Sequence, residues 1–214
     1  MTDPKEQLQH LAQIRSMMER STRFLSLSGL SGIAAGFIAL LGAGALWAYL
    51  GFQDIDLVFF REKNEALLYS KWGIGLKTFM VLDAVIVLVL ALASGYYFTS
   101  RKARQRDQRV WTGASRRLAV NLLLPLGAGG IYGLILLTKG HVGLVPPATL
   151  IFYGLALLNG SKYTLDDIRW LGISEIVLGL LASYFLGYGL LFWAIGFGVL
   201  HIIYGFVMYQ KYEQ

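Results

Sequence analysis

In the run Trp170–Leu180, WLGISEIVLGL, Glu175 stands alone among apolar residues, and His201 stands equally alone in GFGVLHIIYG. A carboxylate and an imidazole can share a proton, hold a small cation or anchor a polar headgroup. The two residues lie thirteen positions either side of Tyr188, the centre of the turn signal GYG at 187–189. At about 1.5 Å of rise per helical residue, both sit roughly 20 Å from the tip of a helical hairpin. Adjacent antiparallel helices would therefore bring them together. Charge inside a membrane is costly, so such groups are expected to be paired, protonated or wet. Two readings of the pair stand: a lock for one hairpin, and a functional site.

Three further residues are candidates for the same polar centre, and a fourth candidate stands apart. Asn121 and Asn159 fall near the cytoplasmic ends of two other spans, and Tyr204 is one turn beyond His201. Together they predict a polar vestibule open to the cytoplasm. Asp83, in TFMVLDAVIVLVL, lies apart on the second span, with Lys77 able to reach outward above it. The chain has no cysteine, which excludes disulfides and thiolate metal sites. It contains no HExxH, GxSxG, P-loop or dinucleotide fingerprint. No cofactor, catalytic residue or metal site is expected, and nothing in the sequence calls for an enzyme.

The elements that must position these residues follow from composition. The 214 residues are 56% hydrophobic and 15% charged, against about 25% charged in ordinary soluble domains. Segments 24–53, 118–138 and 176–210 carry no Asp, Glu, Lys or Arg at all. A hydrocarbon core takes roughly 20 helical residues to cross. The chain reads as an all-α, polytopic membrane helical bundle of six transmembrane helices arranged as three hairpins. The spans are expected at about 24–50, 78–100, 118–138, 143–160, 170–186 and 189–209. Residues 24–214 form that transmembrane domain.

Residues 1–23 read as a cytoplasmic amphipathic helix and not as a signal peptide. Asp3 suits the N-cap, Pro4 the first turn and Glu6 a capping box, with Leu8, Leu11, Ile14, Met17 and Met18 on one face. The outside loop 51–72 carries Asp54, Asp56, Glu62 and Glu65 at no calcium-loop spacing, and its end ALLYSKW reads as an interfacial helix.

Orientation comes from the short-loop cations. With the N-terminus inside, Lys5, Arg15, Arg20, Arg23, Lys162, Arg169 and Lys211 are cytoplasmic. So is the whole basic loop of Arg101, Lys102, Arg104, Arg106, Arg109, Arg116 and Arg117. Only Arg61, Lys63, Lys71, Lys77 and Lys139 fall outside. Both termini are therefore expected in the cytoplasm. The basic loop serves as a topology signal and is a candidate site for anionic lipid headgroups. The +6 charge, so placed, does not point to nucleic acid.

The 25 glycines supply the close approach that membrane helices need. Gly32 and Gly36 form a GxxxG pair, as do Gly129 and Gly133. Gly172, Glu175, Gly179 and Ala182 share one helical face, and Ala194, Gly198, His201 and Gly205 another. The same motif can drive homo-oligomerisation. The segments IRSMMERSTRFLSLSGLSGI and GYGLLFWAIGFGVLHIIYGFVMYQKYE, about a fifth of the chain, resemble those of uncharacterised small bacterial polytopic integral membrane proteins. The paired-span glycine pattern is distantly similar to that of the HdeD-like membrane proteins. The resemblance implies a bacterial inner membrane setting and brings no activity with it. The expected function is the binding or conduction of a small solute, ion or proton through a polar centre. The alternative is a membrane scaffold or regulatory subunit that engages a protein partner or anionic lipid.

Overall fold

The computed structural model describes residues 23–24, 27–51, 70–107 and 110–213. The expected N-terminal helix, the four loop acids and Arg109 lie outside them. Long stretches without charge cannot leave backbone groups unpaired in lipid, and a helix pairs them all internally. The helices are α1 (Gly29–Tyr49), α2 (Leu76–Gln105), α3 (Gly113–Thr138), α4 (Val145–Gly160) and α5 (Asp167–Tyr184). The sixth, α6, occupies 189–212 in three successive stretches: α-helical Gly189–Trp193, a π-helical turn Ala194–Leu200, and α-helical His201–Tyr212. Short 3₁₀ turns at Val142–Leu144, Ser161–Tyr163 and Leu186–Tyr188 join the later helices.

Among the described residues, five segments are long and apolar enough to cross a membrane. They are α1, α2, α3, Val142–Tyr163 and Leu186–Tyr212. Helix α5 has 18 residues, but Asp167, Arg169 and Glu175 interrupt its apolar character. Val85, Ile86, Leu88, Val89 and Leu92 of α2 all point outward and are more than half exposed. In water such a surface would be a liability; against acyl chains it is the ordinary one. The protein is an all-α membrane protein.

Several boundaries differ from those expected. Helix α1 begins at Gly29, whereas α2 runs from 76 to 105 and α3 starts at Gly113. Helix α3 starts early because Thr112 caps it: its Oγ1 accepts from Ser115 N–H at 3.2 Å, and Ser115 Oγ accepts from Thr112 N–H at 2.7 Å. Pro146 and Pro147 sit in the first turn of α4, where their missing N–H costs nothing. The expected interfacial helix at ALLYSKW gives way, at its described end, to a small hairpin of β1 (Ser70–Lys71) and β2 (Ile74–Gly75). Trp72 and Gly73 turn it with positive φ of 57° and 75°. Lys71 Nζ donates to the Ala48 carbonyl at 2.8 Å, placing a cation on the C-terminal end of α1.

Helix α1 lies between α2 and α6, and α4 lies between α3 and α5. Both contacts are built on glycine. A Cβ on Gly32 or Gly205 would run into the backbone of the facing helix, so α1 and α6 touch main chain to main chain. Gly154 and Gly172 do the same for α4 and α5. The Gly32–Gly36 motif is therefore spent inside the chain, against α6. In the second motif, Gly129 receives the Phe152 ring, while Gly133 has nothing close.

Candidate functional site

Where α6 meets α4 and α5, each of the three helices contributes one polar side chain. On α5, Gly172, Glu175, Gly179 and Ala182 are all buried, as their shared face requires, and Glu175 is 0% exposed. His201 follows the π-helical turn on α6 and is also buried. Tyr153 comes from α4.

His201 Nδ1 is 2.9 Å from the Gly196 carbonyl, and Nε2 is 2.7 Å from the Tyr153 hydroxyl. A carbonyl only accepts, so Nδ1 carries a proton. In the neutral ring Nε2 accepts from Tyr153; in the imidazolium it donates to the phenolic oxygen. Glu175 Oε1 lies 3.4 Å from the same Nδ1, within ion-pair reach. Among the described residues, neither oxygen of Glu175 has a hydrogen-bond partner.

The surroundings exclude water and hold the ring. Phe197 stacks on His201 at 15°, and Tyr153 leans on Phe197 with ring centres 4.8 Å apart. Gly196 lets the carboxyl approach, because a Cβ there would overlap Glu175 Oε2 and Leu150. It lies within the π-helical turn, a wider winding that recurs at functional positions.

A buried carboxylate without donors is expensive. One added proton makes Glu175 neutral, and one moved to the imidazole makes a charge pair. The arrangement suits storing a proton and passing it among carboxyl, imidazole and phenol.

The other expected members do not join this centre. Asn159 Nδ2 donates to Asn121 Oδ1 at 3.0 Å and to its carbonyl at 3.2 Å, while Asn121 Nδ2 donates to the Arg117 carbonyl at 2.8 Å. Asn159 donating to Asn121 clasps α4 to α3, and neither amide lines a vestibule with Glu175 and His201. Tyr204 rests against the apolar cluster of Leu157, Leu165, Ile168, Leu171 and Met208. Asp83 lies beside Gly42 of α1, half-buried and separate as expected.

Of the basic loop, Arg101, Arg104, Arg116 and Arg117 are exposed. Arg106 donates to the Tyr212 carbonyl at 2.6 Å. Lys102 departs from the headgroup expectation. It is 4% exposed and turned inward, donating to the Leu27 carbonyl at 2.5 Å and to Glu213 Oε1 at 3.3 Å.

Tyr153 and the Gly196 carbonyl were not among the expected site residues. A depth count could have found Tyr153. It lies seven residues before the end of α4, and Glu175 lies eight residues into α5. These are about 11 and 12 Å of rise from a shared connection. No group of three or more His, Asp or Glu side chains suited to a metal ion occurs among the described residues. No family model, characterised protein or solved structure matches the chain, so no site residue is carried over from a relative.

Proposed function

We propose that this is a small bacterial inner-membrane protein whose Glu175–His201–Tyr153 centre binds and transfers a proton, as the core of ion or solute movement through the bundle. The observation that carries this reading is Glu175, fully enclosed, without a hydrogen-bond partner for either oxygen among the described residues, and 3.4 Å from an imidazole. A structural pair would be expected to satisfy its acceptors. An orphaned acid beside a titratable ring is what proton exchange needs.

The accompanying topology has six spans, with α5 as the fifth despite its charges, and both termini in the cytoplasm. Its support is the bias of Lys and Arg towards one set of loops. The test is proton flux in proteoliposomes carrying an internal pH-sensitive dye. Wild-type protein should dissipate an imposed pH gradient, and Glu175→Gln, which keeps the shape and removes the acid, should abolish that flux. Equal flux from the two proteins would end this reading.

The second reading, a scaffold without flux, draws on the closed packing around the centre. Asn159 is bonded to Asn121 and not to the Glu175 centre. On this reading wild-type and empty liposomes leak alike, and the exposed basic loop holds a protein partner or lipid.

A further inference from the structure

The end of the bundle that carries the basic loop contains a cavity of about 240 Å³ between α1, α2 and α6. Its chemistry is divided. Arg101, Lys102 and Arg106 supply three positive charges and Glu213 one negative, a net of +2 along the lining. Leu30 and Phe98 form an apolar wall on the same cavity. Lys102 is committed to Glu213 and the Leu27 carbonyl, and Arg106 to the Tyr212 carbonyl. Arg101 is exposed and has no hydrogen-bond or ion-pair partner among the described residues.

The positive end of α1 is not the attraction, because it is already answered. Glu213 Oε1 accepts from Gly29 N–H at 2.5 Å, and Oε2 accepts from Ser28 Oγ at 3.2 Å. The surplus charge sits on guanidinium groups, whose planar fork matches phosphate oxygens.

We infer that this cavity is a binding site for a phosphate group, with Arg101 as its free donor and Arg106 beside it. The volume falls below the roughly 300–1,000 Å³ of drug-sized pockets, which suits a headgroup and not a whole amphiphile. The Leu30–Phe98 wall provides a surface along which the first carbons of an acyl chain can leave. An anionic phospholipid and a free phosphate share the recognised chemistry. Net charge and basic position alone would attract either.

The full chain, purified in detergent, separates these sources. Native mass spectrometry should show wild-type protein retaining phosphatidylglycerol in preference to phosphatidylcholine. Arg101→Gln should reduce that retention at least fivefold. Arg116→Gln/Arg117→Gln, which removes two exposed charges outside the cavity, should leave it unchanged. In a second arm, inorganic phosphate is titrated calorimetrically. Saturable heat that Arg101→Gln removes, with no lipid preference in the first arm, supports the site and identifies a free anion as its occupant. Absence of binding in both arms overturns the inference. Equal losses in Arg101→Gln and Arg116→Gln/Arg117→Gln also overturn it, since charge without place would then explain the binding. Arg101→Gln touches no structural contact, so its fold is retained and size-exclusion elution checks this.

Discussion

Among the described residues, two largely enclosed acid–base contacts join helices, and they are finished to different degrees. At the basic end, Lys102 and Glu213 meet at 3.3 Å with side chains 5% and 12% exposed. Every charged atom there is answered. Glu213 accepts from Gly29, Ser28 and Lys102, and Lys102 also binds the Leu27 carbonyl. In the middle, Glu175 and His201 meet at 3.4 Å with side chains 0% and 8% exposed. There the histidine is answered twice and the carboxylate not at all. The first is a clamp between α1, α2 and α6. The second keeps an acceptor in reserve, and reserve is what a group needs if it is to change protonation state.

The contrast can be broken by substitution, and the largest effect is expected at the clamp. Lys102→Met should leave Glu213 without its cation, though still bound by Gly29 and Ser28, and lower stability by about 3 kcal/mol, read as a fall in the detergent unfolding midpoint. Lys102→Met/Glu213→Gln should recover part of the loss. Gly196→Ala comes next. Its methyl overlaps Glu175 and Leu150, so it should cost about 1–3 kcal/mol and reduce flux, measured on the same preparations.

Tyr153→Phe removes one hydrogen bond from His201 and should cost about 1 kcal/mol. Its flux should fall below wild type but stay above that of Glu175→Gln. Glu175→Gln should abolish flux while moving the unfolding midpoint least of these buried changes, because it breaks no hydrogen bond. A midpoint drop as large as that of Lys102→Met would turn the central pair into a second clamp and erase the contrast.

What could be read beforehand divides along the same line. Charge-free runs mark α1, α3 and α6 because the bilayer leaves an uncharged segment few alternatives to helix. Counting from the GYG turn put Glu175 and His201 at one depth, and they do meet. That count works because a hairpin fixes depth locally. It could not foresee the Lys102–Glu213 clamp, whose partners are 111 residues apart with several helices and turns between them. The side chains of Lys102 and Arg101 look alike in sequence, yet one is buried and the other exposed. The π-helical turn was equally hidden. Glycine and aromatic residues in AIGFGVL fit an α-helix as well, so nothing in that stretch signals the wider winding. Asn121 and Asn159 were expected to line a polar vestibule, but an amide can bond an amide, and Asn159 donates to Asn121 instead.

The bond from Gly29 to Glu213 spans 184 residues, and it has a consequence for biosynthesis. Helix α1 leaves the ribosome first among the described helices, and its glycine face is cut to fit α6, which leaves last. At about 5–20 residues per second, the interval is about 10–40 s. Throughout it the small-residue face of α1 is matched by neither of the two elements made for it, α6 and the Glu213 cap. The nascent chain therefore waits with this seam open, and the order of synthesis makes the α1–α6 contact one of the last helix contacts to form.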